Sequence, residues 1–144
     1  MFAKASKLHD KRLEIIAKLY EKLVILDMAM NDMTAMWKLV SGDKKQAEEA
    51  ENKRIENAGN AYNDYQNYYN VNRIFFRNET SELLDKLRED YFDSYWTYTS
   101  SKRFGFTDFE LNFANAKKAS EKVKEGIPPI LRKLEDDFRL IITV

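Results

Sequence analysis

The chain has no cysteine, one histidine, two prolines and four glycines. Without cysteine it can form no disulfide, no thiolate metal site and no thiol nucleophile. That absence fits a reducing compartment. A single histidine excludes the paired Glu-x-x-His ligands of carboxylate-bridged di-iron bundles and the two histidines of an HExxH zinc site. It also leaves no credible Ser-His-Asp arrangement, because His9 lies near the start of the chain. Scarce glycine and proline disfavour an all-β fold, which needs many tight turns. The glycines stand far apart, so no phosphate-cradling loop is present. No apolar run approaches the ~20 residues of a membrane-spanning helix, and no signal-peptide pattern opens the chain.

Charge of one sign is missing too. Lys plus Arg number 24 and Asp plus Glu number 24, a balance that argues against a dedicated nucleic-acid binder. With 44% apolar residues, the 144-residue chain reads as one globular domain over residues 1–144.

What remains is helical periodicity. From Ser6 to about Val40, Leu13, Ile16, Tyr20, Leu23, Met30 and Trp37 share a stripe, widened by Leu19, Leu26, Met33 and Val40. So wide a stripe predicts contact with two neighbouring helices. Ser41-Gly42-Asp43 ends it, with Gly42 suited to a left-handed C-terminal position. A second helix is predicted from Lys44 to Asn72, with Ala47, Ile55, Ala58, Tyr62, Tyr65 and Tyr69 inward and a highly charged start that projects or frays. Arg73-Ile74-Phe75-Phe76-Arg77 reads as an apolar connector tucked onto the bundle. Asn78 or Thr80 then caps a third helix to about Ser100, with Leu84, Leu87, Tyr91, Tyr95 and Tyr98 inward. After a connector from Ser101 to Phe106, Thr107 or Asp108 caps the last helix. Its stripe of Phe109, Phe113, Ala116, Ser120, Val123, Ile127, Ile130, Leu134, Phe138 and Ile141 stays in phase across Pro128-Pro129. The expected fold is therefore all-α, a bundle of four main helices with the last one kinked at the proline pair.

Few residues suggest chemistry. Asp27 falls inside the apolar arc of the first helix, among Tyr20, Leu23, Met30 and Thr34. A carboxylate there must be paired or hydrogen-bonded, so its first reading is a satisfied core acid; its second is a lone acid lining a small cavity. Tyr62, Tyr65, Tyr69, Tyr95 and Trp96 belong to a dense aromatic set, read first as core or rim and second as a partner-binding face. Lys4, Lys7, Lys11 and Arg12 make the start basic. No metal or cofactor is expected.

Three stretches together carry a resemblance: Ser6 to Arg12 followed by Ile16 to Val24; Asn72-Arg73-Ile74-Phe75-Phe76; and Glu125-Gly126-Ile127-Pro128-Pro129-Ile130-Leu131 with Leu134-Glu135. They resemble a loose group of uncharacterised bacterial helical proteins that often carry an N-terminal membrane helix before a cytosolic helical domain. The resemblance implies a cytoplasmic location at the inner face of the membrane, reached only through a segment this chain lacks, and it assigns no functional residue. The resulting expectation is a non-enzymatic interaction or scaffold domain whose partner is another protein or a second copy, and not nucleic acid. The competing expectation is a small-molecule sensor or enzyme with a cavity centred on Asp27.

Overall fold

The computed structural model describes residues 2–36, 38, 42–103 and 109–143, and among these there is no strand. Helix α1 spans Phe2–Thr34, α2 Lys44–Asn72, α3 Asn78–Arg103, α4 Phe109–Glu121 and α5 Ile127–Ile142. A 3-10 turn at Arg73–Phe75 joins α2 to α3, and a π-helical turn at Lys122–Gly126 joins α4 to α5. Taking α4, the π turn and α5 as one rod, the chain is a four-helix bundle. Neighbours pack around a ring: α1 on α2, α2 on α3, α3 on α4 and α5, and these back on α1.

The core follows the predicted stripes. Leu19, Leu23, Leu26, Met30 and Met33 of α1 meet Ala58, Tyr65 and Tyr69 of α2, Leu84, Leu87 and Tyr91 of α3, and Val123, Ile127, Leu134 and Phe138 of the last rod. Small Ala58 and Ala61 let α2 approach closely, and Gly59 faces Tyr95 of α3.

The proline pair is accommodated by a change of winding. Pro128 and Pro129 have no N–H to offer the carbonyls of Lys124 and Glu125, and their rings would crowd them. The chain widens just before the prolines, so that the Ile127 N–H reaches Lys122 O, five residues back. Gly126 and Ile127 keep right-handed helical angles, and the rod continues without reversal. The interruption expected at the proline pair thus takes the form of a π turn.

Three expectations are corrected. Helix α1 ends at Thr34 instead of near Val40. There the Thr34 hydroxyl donates to Met30 O and the Lys38 ammonium to Met33 O, which occupies carbonyls at the helix end. Gly42 does not adopt a left-handed conformation; Asp43 starts α2 instead, its carboxylate accepting from the Lys45 N–H at 2.9 Å. The charged start of α2 is helical from Lys44 and stays exposed through Ala50 apart from half-buried Ala47; the helix is tied down from Glu51, which accepts from Lys38, Arg54 and the Tyr98 hydroxyl of α3. Thr80 is no cap: α3 already begins at Asn78, and the buried Thr80 hydroxyl donates to Asp137 of α5. The expected roles of Trp37, Val40, Ser41, Thr107 and Asp108 lie outside the described residues.

Candidate functional site

Asp27 sits on the flank of α1, half-buried, and its carboxylate is fully engaged. Oδ1 accepts from the Tyr91 hydroxyl at 2.7 Å, and Oδ2 from the Asn31 side-chain amide at 3.2 Å. Burial raises the Asp27 pKa above the usual carboxylate range; the Tyr91 bond opposes this, and the Glu135 charge adds to it. Tyr91 in turn is pushed far above the usual phenol range by burial and by the Asp27 charge. A carboxylate with both oxygens bonded to side chains, lining none of the described cavities, reads as a structural tie between α1 and α3.

The aromatic candidates divide. Tyr65 and Tyr69 are core residues, stacked with ring centroids 6.2 Å apart, so no partner reaches them as surface contacts. The Tyr65 hydroxyl donates to Leu84 O at 2.8 Å, and the Tyr69 hydroxyl lies against Asp85 Oδ1 at 2.9 Å and Ser81 O at 3.1 Å. Tyr95 is partly buried against Gly59. Tyr62 leans on Phe92 with centroids 5.8 Å apart, and Phe92 and Trp96 are exposed on the same side of α3. Helical spacing alone could not separate these fates, since Tyr62, Tyr65 and Tyr69 all lie within one broad arc.

An apolar groove lies elsewhere. It encloses about 410 Å³ between α1 and α5, lined by Leu13, Ile16, Ala17, Phe138 and Ile142, with Tyr20, Glu135 and Arg139 as its polar members. The Tyr20 hydroxyl is bonded to the Glu135 carboxylate, which raises the Tyr20 pKa. Sequence reading took Tyr20 for a core residue; its partner is 115 residues away, and no local pattern announces that pairing.

One end of the bundle gathers the remaining features. Arg12 and Ile16 of α1, Phe75, Phe76 and Arg77 of the α2–α3 connector and Ile141 of α5 line a depression of about 180 Å³. Phe76 packs against the core, as the connector's apolar sequence predicts. Ile74 does not: it is 87% exposed, with Val71 beside it at 76%. The connector tucks in one residue and presents another. Arg77 is bonded to Asp137, and this raises the Arg77 pKa.

No group of three or more acidic or histidine side chains suited to a metal ion occurs among the described residues, and none of the described helices is long and apolar enough to cross a membrane. No family model, no curated protein and no solved structure matches the chain.

Proposed function

We propose that the chain is a non-enzymatic protein-interaction module working through the end of the bundle where α1 begins. One observation carries this reading: Val71 and Ile74, the two most exposed large apolar side chains among the described residues, stand together at that end, beside a formed depression. Exposed apolar groups grouped in this way mark contact surfaces, whereas scattered ones carry no such meaning. The interior supports it from the other side. Asp27, Asp85 and Asp137 are each engaged by tyrosine, arginine or threonine from another part of the chain, which leaves them occupied as structural ties.

The test is a photoreactive amino acid placed at Ile74 in living cells, with Asp136 on the outer face of α5 as control. A defined adduct at position 74 and none at 136 is expected. Equal labelling at both positions, or none at either, would sink the reading.

The small-molecule alternative moves from Asp27 to the Tyr20–Glu135 groove, whose apolar walls suit a ligand of a few hundred Å³. Native mass spectrometry of the purified chain decides it: a reproducible added mass, lost on Ala17→Trp, is what this alternative requires.

A further inference from the structure

Helix α1 continues past the connector that closes this end of the bundle. Arg12 lies level with the connector, since both line the same depression. The helix continues N-terminally from there for roughly ten residues, or about 15 Å at 1.5 Å per residue. The overhang and the end face therefore make an inside corner. The depression of about 180 Å³ lies in that corner, floored by Ile16, Phe75, Phe76 and Ile141, with Arg12 and Arg77 among its walls.

Basic side chains outnumber acidic ones at the corner, where Asp137 is bonded beneath Arg77 and the charge of Glu79 also acts on Arg77. Leu8 stands one turn before Arg12 on the same helix face, and it remains 45% exposed. Lys7 and Lys11 flank that face. Asp10, roughly 200° around the helix from Arg12, lies on the far side. Lys7, Lys11 and Arg12 make no ion pair among the described residues. Arg77 is paired, yet its geometry still shows a cation outward: its side chain is 56% exposed, and that of Asp137 beneath it is 10% exposed. Arg73 and Asp85 repeat the arrangement, at 49% and 26%.

We infer that this corner binds an acidic, amphipathic segment of a partner protein. An apolar side chain of that segment fills the depression over Phe75 and Ile141, a neighbouring one covers Ile74, and its carboxylates lie between Arg12, Arg77 and Lys11. Shape and charge select this occupant. A lipid surface is flat, and the overhang would hold it away from Ile74 and Val71. A second copy would bring two basic overhangs together, and like charges at close range repel.

This inference rests on the interaction reading above, and the experiment separates the two. A random-peptide display library is selected on the full chain, and the enriched peptides are titrated by fluorescence anisotropy. Peptides with Asp or Glu interleaved among apolar residues are expected. Their affinity should fall about tenfold or more on Arg12→Glu and on Ile74→Ser, and it should weaken as salt rises from about 0.05 to about 0.3 M. Both changed residues are exposed, so the fold is retained. Basic or uncharged peptides, or binding indifferent to both variants, overturn the inference. So does co-sedimentation with vesicles rich in anionic lipid that Arg12→Glu abolishes, or a dimer in sedimentation velocity that Ile74→Ser dissociates. An in-cell adduct at Ile74 with a partner that lacks an acidic segment would sink the inference while sparing the interaction reading.

Discussion

The Tyr91 hydroxyl donates to Asp27 Oδ1 over 2.7 Å, joining the middle of α3 to α1 two turns before its C-terminal end. The sequence could place Asp27 in the apolar arc, and the requirement that a buried carboxylate be satisfied predicted a bonded partner. It could not say which tyrosine, because the partner stands 64 residues away and is chosen by the way α1 and α3 pack.

The burial of Asp27 sets a pH dependence, which the Tyr91 bond opposes. Burial is the largest influence on Asp27 and raises its pKa in the folded chain. Because the folded state then binds the proton more tightly than the unfolded state, ionised Asp27 is a liability at neutral pH. The liability is relieved as pH falls through the raised folded pKa toward the unfolded value near ~3.9. Asp27→Asn keeps an acceptor for Tyr91 and removes the charge. Its stability to urea at pH 7 should equal or exceed that of the parent, and the difference should shrink as pH falls toward about 4. Asp27→Ala instead strands the buried Tyr91 hydroxyl and should cost about 1–3 kcal/mol. An Asn variant clearly weaker than the parent at pH 7 would show that the charge itself holds Tyr91.

Asp137 is held by Arg77 and Thr80, so it fastens the C-terminal half of the last rod to the start of α3. Replacing it with alanine leaves the buried Thr80 hydroxyl unpaired, while the exposed Arg77 guanidinium keeps its water, for a loss of about 1–3 kcal/mol in urea unfolding. Thr80→Val should cost less, because Arg77 still holds the carboxylate. In a double-mutant cycle the two losses should fall short of additivity, since both report on one bond. Additive losses would mean that Thr80 acts through packing alone.

The two stacked tyrosines offer a controlled comparison. Tyr65 donates to Leu84 O, a main-chain carbonyl within α3, whereas Tyr69 links the Asp85 carboxylate and Ser81 O. Arg73 grips Asp85 through two bonds, at 2.7 and 2.8 Å, and lowers its pKa. Tyr65→Phe and Tyr69→Phe should each cost about 1 kcal/mol at neutral pH. They should differ in acid. Asp85 contributes stability above its unfolded pKa and loses it as pH falls through the depressed folded value. Without Tyr69 that value rises, so the Tyr69→Phe chain should begin to unfold at higher pH than the Tyr65→Phe chain. Coincident acid-unfolding curves would count against this account.

How much of this was legible follows a physical line. Helix number, the core stripes and the continuity across Pro128-Pro129 were readable, because they depend on a period of 3.6 residues that neighbouring residues carry. The π turn was not, since nothing in Lys122 to Gly126 marks which carbonyl the Ile127 N–H will choose. The stop at Thr34 was equally hidden, because Trp37 and Val40 continue the apolar stripes past it in the sequence and the Lys38 cap is set by distant Glu51 and Tyr98. Of the candidate site, Arg73-Ile74-Phe75-Phe76-Arg77 was seen as apolar and flanked by arginines. Ile74 faces outward from the 3-10 turn, whose period of three differs from that of the helix before it, and Phe76 turns inward just past that turn, where the chain is extended.

Two glycines give the last and sharpest test, because their surroundings differ where their backbone does not. Neither Gly59 nor Gly126 has a positive φ, so an L side chain is admissible at both. A Cβ at Gly126 would meet only Lys122 Cγ at 3.7 Å, an ordinary contact. Gly126→Ala should therefore stabilise the chain by about 0.5–1 kcal/mol, by reducing the freedom of the unfolded state. At Gly59 the new Cβ would stand 3.2 Å from the Tyr95 hydroxyl oxygen and 3.6 Å from its ring carbon, where α2 and α3 close on each other. The ring must give way, so Gly59→Ala should gain less than Gly126→Ala or turn destabilising. Thermal unfolding of the two variants beside the parent reads both values. If Gly126→Ala destabilised, the π turn would need the freedom of glycine, and the winding that carries the last helix past its prolines would depend on that residue.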